Sequence, residues 1–262
     1  MSTKKNKFKK LFSVIILLFL IGLLLYLTFS LENRSVLVVK NIEIKGAEHL
    51  TKELYFKYAN FDHYNDYKYL NLTTIKDRII KHPYVKDADV EFVGNDKVVI
   101  ELVEKKIEAL YYTDKSQYLI TDDWEIIPQL PFTRELDYPI ITNPVDEGFY
   151  KPFQYLKKTD DIKTALKIIT TFQYLNDDLL VNLSEINLNN GEEIILDIST
   201  FDYPVYVGRD NLIKKIIYFD KFYNSIKENL YSSAIGYLDS RFEKNIYMQL
   251  NVPESKTEEE KL

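Results

Sequence analysis

The sequence predicts an α+β protein tied to a membrane by a single transmembrane helix. A small domain of three strands and two helices follows, then a β-rich domain with an antiparallel sheet and two or more helices. Three observations lead there. An uncharged apolar run fills residues 11–31, two-residue alternation recurs in short segments through most of the rest, and helical spacing is confined to a few stretches between them.

Leu11 to Leu31 reads LFSVIILLFLIGLLLYLTFSL, without charge or proline. At ~1.5 Å per residue such a helix crosses a ~30 Å hydrocarbon core. Secretory signals instead have apolar cores of about 7–15 residues that end at a small-residue site, which only Thr28-Phe29-Ser30 imitates here. Lys4, Lys5, Lys7, Lys9 and Lys10 precede the run, and Glu32, Asn33 and Arg34 follow it. This bias puts residues 1–10 in the cytoplasm as a short tail and everything after Leu31 outside.

The exported part then holds 29 basic against 40 acidic residues, a net charge of −11 with histidine neutral. That balance excludes nucleic acid and anionic membrane surfaces as its ligands, because both need a positive face. With no cysteine, burial of apolar surface must hold the fold without disulfides. About 230 exported residues suit two domains of ~100–150 residues better than one.

The elements follow in order. Val36 to Lys45 alternates around Val38, Ile42 and Ile44 and meets Gly46, a strand ending in a turn. Thr51 can cap a short helix with Glu53 in its first turn and Leu54, Tyr55 and Tyr58 on its apolar face. A second helix, capped by Thr73 or Thr74, turns Ile75, Ile79 and Ile80 to the core and stops at His82-Pro83. Val85 to Phe92 and Lys97 to Val103 alternate on either side of Gly94-Asn95-Asp96, a hairpin composition.

Beyond these, Tyr118 to Asp122 leads to Ile126 to Pro128, and Leu136 to Thr142 follows. Ile162, Leu166, Ile169, Phe172 and Leu175 recur at helical spacing between Asp160 and Leu175. Strand-like runs at Leu183 to Leu188, Glu193 to Ile198 and Tyr203 to Val207 precede a helix from about Asn211 to Leu230 with Ile213, Ile216, Ile217, Phe219 and Ile226 on its apolar face. Ser233 to Phe242 and Lys244 to Asn251 close the pattern, and the Glu/Lys-rich residues 253–262 are expected to be disordered.

Together these segments resemble the bacterial cell-division family FtsQ, called DivIB in Gram-positive bacteria. The likeness rests on Val39 to Gly46, on Ile79 to Val90 with Pro83-Tyr84-Val85 where the family has Pro-Trp-Val, and on Val98 to Ala109. Ile107 replaces a Pro of the family pattern, Asn143 stands at a Gly position, and Trp124 sits where a turn Gly is common. The resemblance implies a POTRA-type domain over residues 36–107 and a β domain over 108–252.

The chain offers little for catalysis. His49, His63 and His82 lie too far apart for zinc-ligand spacing and read as surface or turn residues. No phosphate-cradling loop or nucleophile elbow occurs, and the neighbours in Asp122-Asp123 and Glu192-Glu193 would point to opposite faces of a strand. The 21 tyrosines suit strands with wet hydroxyls better than glycan stacking. No enzyme activity, cofactor, metal or small-molecule substrate is expected.

Asp239 and Arg241 lie two apart on the predicted strand and would form a surface ion pair of ~0.2–1 kcal/mol. The resemblance makes this strand end and the next strand the docking place of the partner FtsB, with Phe242 standing for the family's Tyr. The expected partner-binding residues are therefore Asp239, Arg241, Phe242, Lys244, Ile246, Tyr247, Met248 and Leu250. The implied function is a divisome scaffold on the outer side of the cytoplasmic membrane, at the septum and facing a periplasm, that recruits FtsB- and FtsL-like proteins by strand addition, with Glu243 and Lys244 guarding the edge. An outer-membrane assembly or secretion component is the alternative, but it would carry POTRA repeats or a β-barrel pattern.

Overall fold

Apolar alternation and helical spacing produce two sheets with separate helical covers. The structure, a computed structural model, describes residues 12, 15–27, 39–61, 70–94, 96–113, 115–134, 137–145, 150–157, 160–226, 234–242 and 244–251. Residues 15–27 are helical. No helix among the described residues is long and apolar enough to cross a membrane, and residues 11, 13, 14 and 28–31 of the predicted span lie outside them, as do the tails at 1–10 and 253–262.

The first sheet contains β1 (Asn41–Lys45), β2 (Val85–Val93) and β3 (Lys97–Glu104) in the order β1-β3-β2. β1 runs parallel to β3, and β2 antiparallel to it. Helices α1 (Lys52–Tyr58) and α2 (Leu72–Ile80) supply Tyr55, Ile75 and Ile79 to a core with Ile42, Ile44, Val98 and Ile100. The cap of α2 differs from expectation. Asn71 takes the N-cap position and accepts from the Thr74 N–H at 2.7 Å, so Thr73 and Thr74 lie inside the first turn. Ile80 is 36% exposed, since it sits one residue past the buried stripe of Ile75 and Ile79.

Gly46 ends β1 at φ +74°, with space for a Cβ closed by the Leu102 carbonyl oxygen at 2.5 Å. The turn that follows is held by Glu104. This carboxylate is 6% exposed and accepts from the N–H groups of Glu48 and His49 and from the Tyr55 hydroxyl. His82 is buried among Tyr55, Tyr58 and Tyr84, and its Nδ1 accepts from the Tyr84 N–H at 3.1 Å. Burial, with Lys105 adding to it, pushes its pKa down to about 4. His82 and His49 both sit in turns, one of the two settings expected, but neither is a surface residue: the His82 ring fills an aromatic cage, and the His49 side chain is 14% exposed. His63 lies outside the described residues.

The second sheet has ten strands: β4 (Ile107–Tyr112), β5 (Gln117–Thr121), β6 (Glu125–Pro128), β7 (Ile140–Thr142), β8 (Gln154–Tyr155), β9 (Leu183–Asn187), β10 (Ile194–Ile198), β11 (Val205–Val207), β12 (Ile235–Asp239) and β13 (Tyr247–Leu250). Their order is β13-β12-β11-β10-β9-β7-β4-β5-β6-β8. The sheet is mixed rather than antiparallel: β4 with β7, β7 with β9 and β11 with β12 pair in parallel. Helices α3 (Ile162–Leu175), α4 (Asp177–Asn182) and α5 (Leu212–Ile226) pack on it through Ile162, Ile169, Phe172, Leu179, Ile216 and Phe219. Leu175 and Ile213, expected on the apolar faces, are exposed.

Ile107, Leu110, Leu119 and Ile127 of the second sheet belong to the core of the first. Polar contacts reinforce that seam. The Tyr84 hydroxyl lies 2.7 Å from Thr133 Oγ1 and accepts from the Leu130 N–H at 2.8 Å. The Arg134 N–H donates to the His49 carbonyl at 2.9 Å, and Lys105 Nζ meets Glu125 at 2.6 Å.

Candidate partner-binding site

Strand β12 enters the sheet beside β11, pairing Val205 with Leu238 and Tyr206 with Asp239. Leu238 and Asp239 are buried, and Ser240 leaves the strand with its N–H donating to the Tyr206 carbonyl at 2.8 Å. The backbone then turns, and Asp239 organises the turn. Its Oδ1 accepts from the Arg241 N–H at 3.0 Å and from Arg241 Nε at 2.9 Å, while Oδ2 accepts from Nη2 at 2.6 Å.

Arg241 thus lies beyond the strand, not two residues along it on the same face. The pair is also no exposed bridge, because the Asp239 carboxylate is 8% exposed. The side-chain bonds from Arg241 hold the Asp239 carboxyl below its usual range despite partial burial, and Asp239 in turn raises the guanidinium. Arg241 reaches Glu193 with Nη1 at 3.3 Å and lies 5.8 Å from the ring of Tyr206.

Phe242 and Tyr247 face one another across the connection, ring centroids 5.0 Å apart and edge to face, both about half exposed. Glu243 lies outside the described residues. Lys244 is exposed, and Ile246 packs against the main core just before β13 begins. The last strand is therefore shorter than expected, starting at Tyr247. Met248 and Leu250 are exposed.

β13 pairs antiparallel with β12 and ends the sheet order. The Asn251 N–H donates to the Ala234 carbonyl at 2.7 Å. Backbone groups alternate sides along a strand, so Tyr247 and Gln249 also point theirs at β12, and Met248 and Leu250 point N–H and C=O away from the sheet. Among the described residues β13 is the sheet's last strand and carries Tyr247, Met248 and Leu250, with Phe242 against Tyr247. Asp239 is instead buried on the interior strand β12, Arg241 turns back to Asp239, Glu193 and Tyr206, and Ile246 turns to the core.

Sequence reasoning missed what supports this edge. Lys215 is 1% exposed, on the buried stripe of α5 between Leu212 and Phe219, and its ammonium binds Asp210 at 2.8 Å. A Cβ on Gly208 would lie 2.8 Å from that ammonium and 3.7 Å from Arg241 Cβ, so the strand end, the lysine and the turn are packed tightly. The signal was present, as a lysine at apolar helical spacing. Among the described residues no group of His, Asp or Glu is arranged to hold a metal ion.

Residues 37–105 match the FtsQ-type POTRA domain family. The chain is 32% identical over 91 residues to the cell division protein DivIB of Clostridium tetani, a match covering 34% of each chain. It is 22% identical over 191 residues to the cell division protein FtsQ of Syntrophotalea carbinolica, covering 71% of this chain and 64% of the relative. A similar match to the FtsQ of Geotalea daltonii covers 69% of this chain and 64% of the relative, at 22% identity. The chain thus spans from about a third to just under two thirds of the length of these relatives.

The solved extracytoplasmic domain of the DivIB of Geobacillus stearothermophilus aligns over 49% of this chain and 98% of its own at 13% identity, with a TM-score of 0.30. Residues 37–105 thus carry an FtsQ-type POTRA domain, and the chain is similar to cell-division proteins named FtsQ and DivIB.

Proposed function

We propose that the chain is a non-enzymatic divisome scaffold, held in the cytoplasmic membrane by residues 11–31 with its N-terminus inside, that recruits FtsB- and FtsL-like proteins at the septum. In this reading residues 36–107 form the POTRA unit, residues 108–252 form the β unit facing the periplasm, and the site comprises Asp239, Arg241, Phe242, Lys244, Ile246, Tyr247, Met248 and Leu250. The observation that carries it is the free edge of β13, with the backbone groups of Met248 and Leu250 directed outward. Such an edge templates an added strand: main-chain hydrogen bonds give affinity and flanking side chains give selectivity. Phe242 and Tyr247 supply the aromatic anchors beside it. The exposed apolar side chains of Leu17, Phe19, Leu25 and Tyr26 support the anchor, since a helix apolar all round belongs in hydrocarbon.

The test is binding of the soluble regions of FtsB and FtsL to the full chain in nanodiscs. Met248→Pro removes an outward donor and places a ring where the partner strand must lie. With one hydrogen bond of ~0.5–1.5 kcal/mol lost and a clash added, binding should weaken at least about tenfold. Phe242→Glu should weaken it as well, and Met248→Leu should not. Undiminished binding by folded Met248→Pro and Phe242→Glu variants would remove the site, and normal septation after depletion in the host would remove the function.

A further inference from the structure

A groove of about 450 Å³ runs along the solvent side of α3, lined by no residue of β12 or β13. Trp124 and Ile213 line it, together with Leu166, Lys163, Lys167 and Tyr174. Trp124 holds φ at +66°, a region that large side chains enter only at a cost in strain. Its ring is nevertheless 49% exposed and is fixed by the Lys163 ammonium, 3.4 Å from the ring centroid. An aromatic wall is thus set in place before any ligand arrives.

Charge and hydrogen bonding decide between ligands. The groove is lined by two lysines and no carboxylate, and an adjoining hollow shares Lys167 and Ile213 and adds Lys214, while Arg209 on its wall is already paired with Asp161. The chain as a whole carries −6, so this cationic strip stands against the prevailing charge. A sugar chain would need convergent polar partners. Here the Thr170 and Thr171 hydroxyls already donate to the carbonyls of Leu166 and Lys167, at 2.8 and 2.6 Å, and no Asp, Asn, Glu or Gln lines the groove. From Lys163 to Tyr174 the helix rises roughly 16 Å, about three turns.

We propose that this groove receives an amphipathic helix of a partner protein, about three turns long, whose apolar stripe is flanked by Asp or Glu. The apolar stripe lies between Trp124 and Ile213, and the flanking carboxylates meet Lys167 and Lys214.

Trp124 is the single tryptophan of the chain, so its emission reads the groove directly. The full chain in nanodiscs is titrated with two stapled helical peptides that share one leucine stripe, one flanked by Glu and the other by Lys. The Glu peptide should shift the emission saturably and bind about tenfold more tightly than the Lys peptide, as two lost ion pairs and new repulsion imply. Lys167→Glu should reverse that order. Trp124→Gly, which relieves the backbone strain, should fold and lose the Glu peptide by calorimetry. Equal binding of both peptides, binding of neither, or full affinity in Trp124→Gly would overturn the proposal. A larger emission shift with an N-acetylglucosamine tetrasaccharide would also overturn it and give the groove to a glycan. FtsB binding at β13 should be unchanged in both variants, so either surface can fail without the other.

Discussion

Glu104→Ala removes the acceptor that three donors share: the N–H groups of Glu48 and His49, at 3.1 and 3.0 Å, and the Tyr55 hydroxyl. The side chain is 6% exposed, so little water can replace it. At ~1–3 kcal/mol for each buried donor left without a partner, and less for the more exposed Glu48 N–H, the expected loss is about 4 kcal/mol. That is a large part of the ~5–15 kcal/mol a folded protein holds. With a urea m-value of ~3 kcal/mol/M for a chain of this size, the unfolding midpoint should fall by about 1.3 M.

Glu101→Ala is the control. Glu101 also sits on β3 and pairs with Lys45, but at 3.8 Å with 61% of its side chain exposed, so its loss should stay under ~0.5 kcal/mol. Tyr55→Phe sharpens the test. Alone it removes a charge-assisted bond of ~2 kcal/mol, but in the Glu104→Ala background it should cost almost nothing. A cycle in which the two losses simply add, within about 0.5 kcal/mol, would refute the assignment of Glu104 as the common acceptor.

Two predictions concern pH. His82 has its pKa lowered to about 4 from 6.5 by burial, so the unfolded chain binds the extra proton first; stability should fall by on the order of 3 kcal/mol as pH drops from 6.5 to 4. His82→Phe should flatten that window in unfolding midpoints measured against pH, and an unchanged slope would contradict it. Asp239 is also lowered, chiefly by its bonds from Arg241, so its contribution is complete above the ordinary carboxylate value of ~3.9 and disappears as pH falls through the lower folded value. Asp239→Asn should lack that acid limb and already show weaker FtsB binding at neutral pH.

Periodicity told most of the small domain, because the faces of β2, β3 and α2 are written in alternation and three-to-four spacing. It could not assign the cap, since Asn71, Thr73 and Thr74 are all good N-cap residues and only the backbone path chooses Asn71. The order of the ten-stranded sheet was hidden for a different reason. Parallel pairs such as β4 with β7 and β11 with β12 join segments far apart in sequence, and no local pattern records which partner a strand takes. Trp124 and Asn143 stand where a glycine was expected, and both adopt positive φ, so the turn requirement was legible although the residue that bears it was not. Lys215 and His82 escaped because polar residues in a core are recognised by their partners, and those partners come from other elements.

The common core of the two sheets gives the molecule a fixed internal bearing. Ile107, Leu110, Leu119 and Ile127 would have to leave the packing around Ile44 and Ile100 for one sheet to swivel on the other, and exposing that surface costs roughly 25 cal/mol per Å². Among the described residues the outermost strands, β1 and β2 of the first sheet and β8 and β13 of the second, therefore keep constant separations and angles. A ligand that grips an edge of each sheet meets one distance, not a distribution of them. Its gain in avidity then depends on the reach of its own linker, greatest where that reach equals the span and zero where it falls short.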